Sequence, residues 1–191
     1  MSPAWTLRTG RLLLTPVAWT DLPDLIALKS DPRVFAVMLG GVRTRVQAAE
    51  ELAADIGFWA ARGYGIWTIR TADPGIAGPG AFQGLTGLMQ RADGRGVALR
   101  FALWPEARGR GLAREAAAAA LMFGHEHAGL ARIVAVARED NVASRTVLGG
   151  IGMIERERFV RDGREMVLYD SRRPAPAGAA TRRVPPAPAA R

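Results

Sequence analysis

The strongest constraint on the fold lies in residues 97–128, where an apolar segment, a glycine turn and an alanine-rich segment follow one another. Residues 97–103 (Val-Ala-Leu-Arg-Phe-Ala-Leu) are typical of a strand, and residues 112–128 contain mainly helix formers. Gly109 and Gly111 lie between them. A turn with so little side-chain bulk lets backbone N–H groups converge on an anion, and the start of a helix adds unpaired N–H groups and partial positive charge. The pattern predicts a phosphate-binding turn; an ordinary turn with solvated arginines is the alternative.

The remaining elements predict an α+β chain with a mixed sheet. Strands 65–70, 82–89 and 97–103 are joined by a predicted hairpin loop at 71–80 and a turn at 91–96, and these short connections favour an antiparallel meander. The strand–helix–strand order around residues 112–128 permits parallel pairing of 97–103 with 131–137. The other predicted strands are 11–16, 153–160 and 165–169. The other predicted helices follow Thr20 or lie at 34–39, 44–61 and 142–148.

Length and cysteine content favour a single domain in a reducing compartment. A chain of 191 residues is expected to bury about 70% of its unfolded surface, and without cysteines it forms no disulfide. The sequence shows neither an apolar signal core at its start nor an apolar stretch near the ~20 residues that a membrane helix needs. We therefore expect a cytoplasmic protein with no membrane partner.

The basic charge raises a nucleic-acid-binding domain as one alternative. The net charge is +8, but residues 172–191 hold five arginines and no acid, which leaves +3 on residues 1–171. Arginine dominates along the whole chain, which disfavours nucleic acid as a partner. Because residues 172–191 are nearly all Arg, Pro, Ala and Gly, we predict a disordered tail after a single domain at residues 1–171.

Two motifs in a fixed order give the chain a family resemblance. Arg108-Gly109-Arg110-Gly111-Leu112-Ala113 fits R-x-x-G-x-A, and 28 residues after Ala113 begins Asn141-Val142-Ala143-Ser144, with Gly152-Met153 further on. The arrangement resembles the GNAT superfamily of acyl-CoA N-acyltransferases, whose motifs read Q/R-x-x-G-x-G/A and N-x-x-S/A. Residues 9–14 and 84–88 are also similar to the branch that contains ribosomal-protein alanine N-acetyltransferases. The competing motifs fail, since the chain has neither Gly-Lys-Ser/Thr nor the third glycine of a dinucleotide turn.

The resemblance implies the GNAT fold, a mixed and mostly antiparallel sheet flanked by helices, with acetyl-CoA as cosubstrate. In this fold the strand before the turn splays from its parallel partner, and the acyl-pantetheine lies in the gap. The implied contacts to acetyl-CoA are Ala102, Leu103 and Trp104 beside the pantetheine, Gly109, Gly111, Leu112 and Ala113 at the pyrophosphate, and also Asn141 and Ser144. For Arg108 and Arg110, phosphate contact and a solvated position both stay open.

The resemblance also implies direct attack of a neutral amine on the thioester. A thiol nucleophile is impossible without cysteine, and proximity supplies much of the rate. Many family members carry an acid tyrosine where this chain has Leu148, which leaves Ser144 as the candidate acid, with capping or packing as its alternative role. Glu106 and Glu115 are the candidate bases; each can equally be a surface charge, and deprotonation through water would need neither.

The expected acceptor is a primary amine, either a protein N-terminus or a small molecule. A non-catalytic acyl-CoA-binding module is the second alternative, because the family's tyrosine and strand glutamate are both missing. We expect no metal, since His125 and His127 stand two residues apart near a helix end and point in different directions. The oligomeric state stays open, with a homodimer as one option.

Overall fold

The computed structural model describes residues 5–72, 78 and 80–173, and in this part of the chain eight strands form one sheet. The strands are β1 (Leu7–Arg8), β2 (Leu12–Pro16), β3 (Ile66–Thr71), β4 (Phe82–Gln90), β5 (Val97–Leu103), β6 (Arg132–Arg138), β7 (Ile154–Arg161) and β8 (Arg164–Arg172). The α-helices of the described chain are α1 (Leu22–Ser30), α2 (Pro32–Phe35), α3 (Arg45–Arg62), α4 (Leu112–Glu126) and α5 (Val142–Gly150). None of these helices has the length and apolarity that crossing a bilayer requires.

The sheet is mixed and mostly antiparallel, as predicted. Its strand order is β1-β2-β3-β4-β5-β6-β8-β7, and β5 and β6 are the parallel neighbours. These two strands share one pair in the described chain, Ala98 with Val134. Toward their carboxyl ends at Leu103 and Arg138 they are unpaired with each other, so the sheet is open along this seam.

The predicted boundaries agree best where a helix has strong end signals. Thr44 and Gln47 form a capping box at the start of α3, and Gly63 ends it with φ +69°. The prediction of a helix at residues 34–39 is wrong: α2 lies at Pro32–Phe35, because the Asp31 side chain accepts the backbone N–H of Arg33 and Pro32 suits the first helical position.

Two predictions fall largely on residues outside the described ranges. In the predicted loop at 71–80, residues 73–77 and 79 lie outside the described ranges. In the predicted tail at 172–191, every residue after 173 lies outside them.

Helix α4 packs across the open seam, against β4 and β5 on one side and β6 on the other. Its buried face carries alanines, including Ala116, Ala117 and Ala120, all fully buried. Gly124 allows close packing here, because a Cβ at this position would lie 2.5 Å from Ile133 Cδ1 and 2.7 Å from Leu88 Cδ1, and those side chains would have to shift. The small residues therefore let α4 lie close to the sheet and hold its two halves together.

Candidate functional site

The open seam between β5 and β6 widens into a cleft of about 300 Å³. Its walls come from both strands, from the loop after α2, and from the start of α5. The cleft is partly apolar, and it reaches Asn141, Ser144 and Leu148 on α5. An apolar lining with a few polar side chains is typical of a small-molecule site.

Backbone groups of β5 face this cleft in alternation. The N–H of Trp104 donates to the carbonyl of Gln83 on the other side (3.0 Å). Because N–H and C=O groups alternate in direction along an antiparallel strand, those of Ala102 and Trp104 point toward β4, and those of Phe101 and Leu103 point into the seam. Of the three residues predicted to lie beside the pantetheine, Leu103 thus directs its backbone groups into the seam, although its carbonyl accepts from Arg108 Nε. Phe101 is an addition that the sequence analysis missed.

The glycine turn at the head of α4 has the geometry of an anion cradle. Gly109 and Gly111 have φ values of +71° and +76°, which only glycine adopts at little cost. The N–H groups of Gly109, Gly111, Leu112 and Ala113 donate to no acceptor in the described residues. Four such donors at the positive end of a 15-residue helix can bind a phosphate group.

A brace of side chains holds this turn in place. The Arg11 guanidinium donates to the carbonyl of Arg110 (2.8 Å) and pairs with Glu115 Oε2 (2.7 Å). Glu115 Oε1 accepts from the Thr9 hydroxyl (2.5 Å) and the Arg11 N–H (2.9 Å). Burial raises the pKa of Glu115, but the hydrogen bonds from Thr9 and Arg11 outweigh it and hold that pKa below its usual range. Arg108 adds a second tie, from its Nε to the Leu103 carbonyl (3.3 Å).

The start of α5 presents a hydroxyl to the cleft. Asn141 Oδ1 accepts the backbone N–H of Ser144 (3.1 Å) and so caps the helix. Both residues line the cleft, and no described residue hydrogen-bonds the half-buried Ser144 hydroxyl. Leu148, one turn further, is 1% exposed and closes the wall with an apolar side chain.

The two candidate bases lie outside the cleft lining. The Glu106 side chain is 69% exposed and pairs with Arg33 (3.1 Å). Glu115 belongs to the brace behind the glycine turn.

A second cavity of about 140 Å³ adjoins the cleft and shares Met38, Met89 and Arg100 with it. It contains a buried group of charges that the sequence analysis missed. Lys29 donates to Glu51 (2.8 Å) and lies 4.0 Å from Asp55. Burial raises the pKa of Asp55 to about 6, although Lys29 and Arg100 oppose the shift.

Metal ligands do not cluster in the described residues, where no group of three His, Cys, Asp or Glu side chains could hold an ion. Both ring nitrogens of His125 are engaged, with the Leu130 carbonyl (2.7 Å) and the Ser171 hydroxyl (2.9 Å).

Comparison with known proteins identifies the family. Residues 11–154 match the GNAT acetyltransferase domain family. The chain is similar to the acetyltransferase from Agrobacterium tumefaciens, with 26% identity and a TM-score of 0.74 over 87% of this chain and 93% of that one.

Two more distant structures share the fold. One is the spermidine N-acetyltransferase from Vibrio cholerae in complex with CoA and spermine, with 16% identity and a TM-score of 0.72 over 86% of this chain and 97% of that one. The other is the ribosomal-protein-S5-alanine acetyltransferase from Vibrio fischeri, with 12% identity and a TM-score of 0.68 over 88% of this chain and 97% of that one. The family match includes strands β2 to β6, the glycine turn and α5, and confirms the resemblance seen in the sequence. The chain therefore belongs to the GNAT acetyltransferase family and is an acetyl-transferring enzyme.

Proposed function

We propose that this protein transfers an acetyl group from acetyl-CoA to a primary amine by direct attack of the amine on the thioester carbon. The observation that carries the proposal is the glycine turn after β5, where four N–H groups donate to no acceptor in the described residues at the start of α4. These groups fit the pyrophosphate of acetyl-CoA, and the cleft between β5 and β6 offers space for the rest of the cosubstrate.

The pantetheine would lie in the seam as an extra extended segment. Phe101 and the N–H of Leu103 supply backbone groups for it, since β6 leaves them unpaired there, while the Leu103 carbonyl accepts from Arg108. Arg108 and Arg110 lie in the turn that would bind the pyrophosphate. Arg108 Nε also donates to the Leu103 carbonyl, and the Arg110 carbonyl accepts a hydrogen bond from Arg11. The proposed site therefore depends mainly on backbone groups that the Arg11–Glu115 brace keeps in position.

Ser144 is the proposed acid. Ser144 lines the cleft and its hydroxyl makes no hydrogen bond with the described residues, so the hydroxyl is available to a departing thiolate. Asn141 holds the first turn of α5 and thereby the position of Ser144.

For the base, we propose proton loss to water in the cleft. Glu106 and Glu115 do not line the cleft, and Glu115 is kept ionised by the Thr9 and Arg11 bonds. A carboxylate held in this way has little tendency to accept a proton.

The decisive test is thiol release from acetyl-CoA in the presence of a panel of amines and N-terminal peptides. We expect release above the acceptor-free rate with at least one class, together with mass-spectrometric detection of an N-acetylated product. Binding of CoA without turnover of any acceptor would contradict acetyl transfer by this chain. If the protein is folded, as measured by circular dichroism, and does not bind CoA, the assignment of the glycine turn as the pyrophosphate site is contradicted.

A further inference from the structure

Arginines are the most numerous charged residues in the lining of the cleft where the acceptor must approach. The lining contains one aspartate, Asp93, and five arginines: Arg43, Arg91, Arg100, Arg138 and Arg161. Most amines are cationic at neutral pH, so an arginine without a carboxylate partner in this cleft would repel a purely cationic acceptor. On the proposed function, such an arginine would instead favour an acceptor that carries negative charge of its own.

Four of these arginines already have carboxylate partners. Arg43 pairs with Glu51 (2.5 Å), Arg138 with Asp140 (2.5 Å) and Arg161 with Asp162 (3.5 Å). Arg91 pairs with Asp93 on the hairpin between β4 and β5.

Arg100 is different. In the described chain no carboxylate oxygen lies within 4.0 Å of its guanidinium, whose hydrogen bond goes to the Met89 thioether (3.4 Å). Burial lowers the pKa of Arg100, while Asp55 and Glu51 oppose this from further away. A half-buried guanidinium with a sulfur as its hydrogen-bond partner retains most of its donors for a ligand.

The position of Arg100 suits an acceptor contact. It precedes Phe101, whose backbone groups face the seam, and its side chain borders both the 300 Å³ cleft and the 140 Å³ cavity. The planar guanidinium matches a carboxylate in a bidentate arrangement, which a compact ammonium ion cannot reproduce.

We propose that the acceptor is an amine that also carries a carboxylate, and that Arg100 binds this carboxylate while the amine meets the acetyl group. This proposal rests on the proposed acetyl transfer to an amine. The carboxylate can belong to a free amino acid or to an acidic residue next to a peptide N-terminus, and the two sources are separated by the acceptors tested.

The experiment compares acceptors that differ in one charge. Initial rates of thiol release are measured with free amino acids and their α-carboxamides. A second pair consists of the dipeptides Ala-Glu and Ala-Gln with amidated C-termini, which differ in the side-chain carboxylate. Spermidine serves as the acceptor without a carboxylate. We expect kcat/KM at least 10-fold higher for the carboxylate member of one pair, and little turnover of spermidine. The carboxamide of an amino acid has the more easily deprotonated amine, so intrinsic reactivity works against the expected preference.

Arg100→Met should reduce the preference to about 2-fold or less, mainly through KM, and Arg100→Lys should restore part of it. Arg62→Met removes an exposed arginine outside both cavities and should leave the preference unchanged. Thermal unfolding of each variant reports whether it is folded. If Arg100→Met does not fold, the wild-type ratio and competitive inhibition by an N-acetylamino acid against its carboxamide decide the question.

Equal turnover of the carboxylate and carboxamide members, or preferred turnover of spermidine, would overturn the proposal. An unchanged ratio in folded Arg100→Met would remove Arg100 from it. If no amine is acetylated, the proposed function is contradicted, and the carboxylate site needs a separate test. Calorimetric binding of N-acetylamino acids with CoA present then tests the carboxylate site separately, and absence of binding would overturn it.

Discussion

Glu115 on α4 and Arg11 at the entrance to β2 bind each other across 104 residues of chain, through the Arg11 N–H (2.9 Å) and its Nε (2.7 Å). The same guanidinium reaches the carbonyl of Arg110 in the glycine turn (2.8 Å). The pair therefore connects the start of β2 to the proposed phosphate site at the head of α4. Its loss should affect stability and cofactor affinity together.

Glu115→Gln should lower the free energy of unfolding at pH 7 by about 1–3 kcal/mol, since it weakens charge-assisted hydrogen bonds from Thr9 and Arg11. The folded-state pKa of Glu115 lies below its ordinary 4.5, so its stabilising effect is present above that value and is lost as the pH falls through the lower folded pKa. Urea unfolding at pH 7 and pH 3.5 measures the difference, with the exposed Glu126→Gln as control. A pH profile of kcat/KM that loses an ionisation in Glu115→Gln would instead identify Glu115 as the base.

Gly111→Glu should weaken CoA binding at least 30-fold. It places a carboxylate among N–H groups proposed to bind phosphate, and it strains a residue at φ +76°. Gly129→Glu is the matched control, because Gly129 has φ +66° and open space around it, away from the turn. Titration calorimetry with CoA compares the two. Equal affinity in both variants would place the pyrophosphate elsewhere.

Ser144→Ala should lower kcat by about 100-fold while KM for acetyl-CoA changes little, because a positioned acid acts on the departing thiolate. Thr146→Ala is the control on the same helix, since that hydroxyl already donates to the Val142 carbonyl (2.9 Å). Steady-state rates with the best acceptor measure both. Wild-type turnover in Ser144→Ala would leave Ser144 with a structural role alone.

Asp55→Asn should stabilise the protein at pH 8 by about 1–3 kcal/mol and have little effect at pH 4. Burial raises the folded pKa of Asp55 from 3.8 to about 6. The fold therefore favours the neutral carboxyl, and the resulting stability is present below pH 3.8 and lost as the pH rises through 6. Urea unfolding at both pH values tests this against Glu50→Gln, an exposed change on the same helix. Destabilisation at pH 8 would show that Asp55 is needed as an ion by Lys29 or Arg100.

Local signals predicted much of the fold. Strand β5 matches residues 97–103 because its apolar run ends at Trp104-Pro105, and α3 matches within a residue because Thr44 and Gly63 are strong end signals. The two-residue β1 has too little periodicity to be recognised, since its pairing with β2 decides its conformation.

In the candidate site, too, the features encoded locally in the sequence could be predicted and those that depend on long-range contacts could not. The glycines and the helix start are continuous in sequence, so the anion cradle could be predicted from them. The Arg11–Glu115 brace and the grouping of Lys29, Glu51, Asp55 and Arg100 require contacts between distant segments, which no local pattern encodes. Which of residues 101–104 face the seam depends on the β4–β5 register, and one residue of shift would reverse it.

The alanine face of α4 also limits which changes the proposed site can tolerate. Ala116, Ala117 and Ala120 are fully buried, and a close-packed interior has little room for added volume, so a larger side chain there would push α4 away from the sheet. With one backbone pair between β5 and β6 in the described chain, such a displacement would loosen a contact that links the two half-sheets. A substitution in the core of this helix would therefore also disturb the proposed acetyl-CoA site.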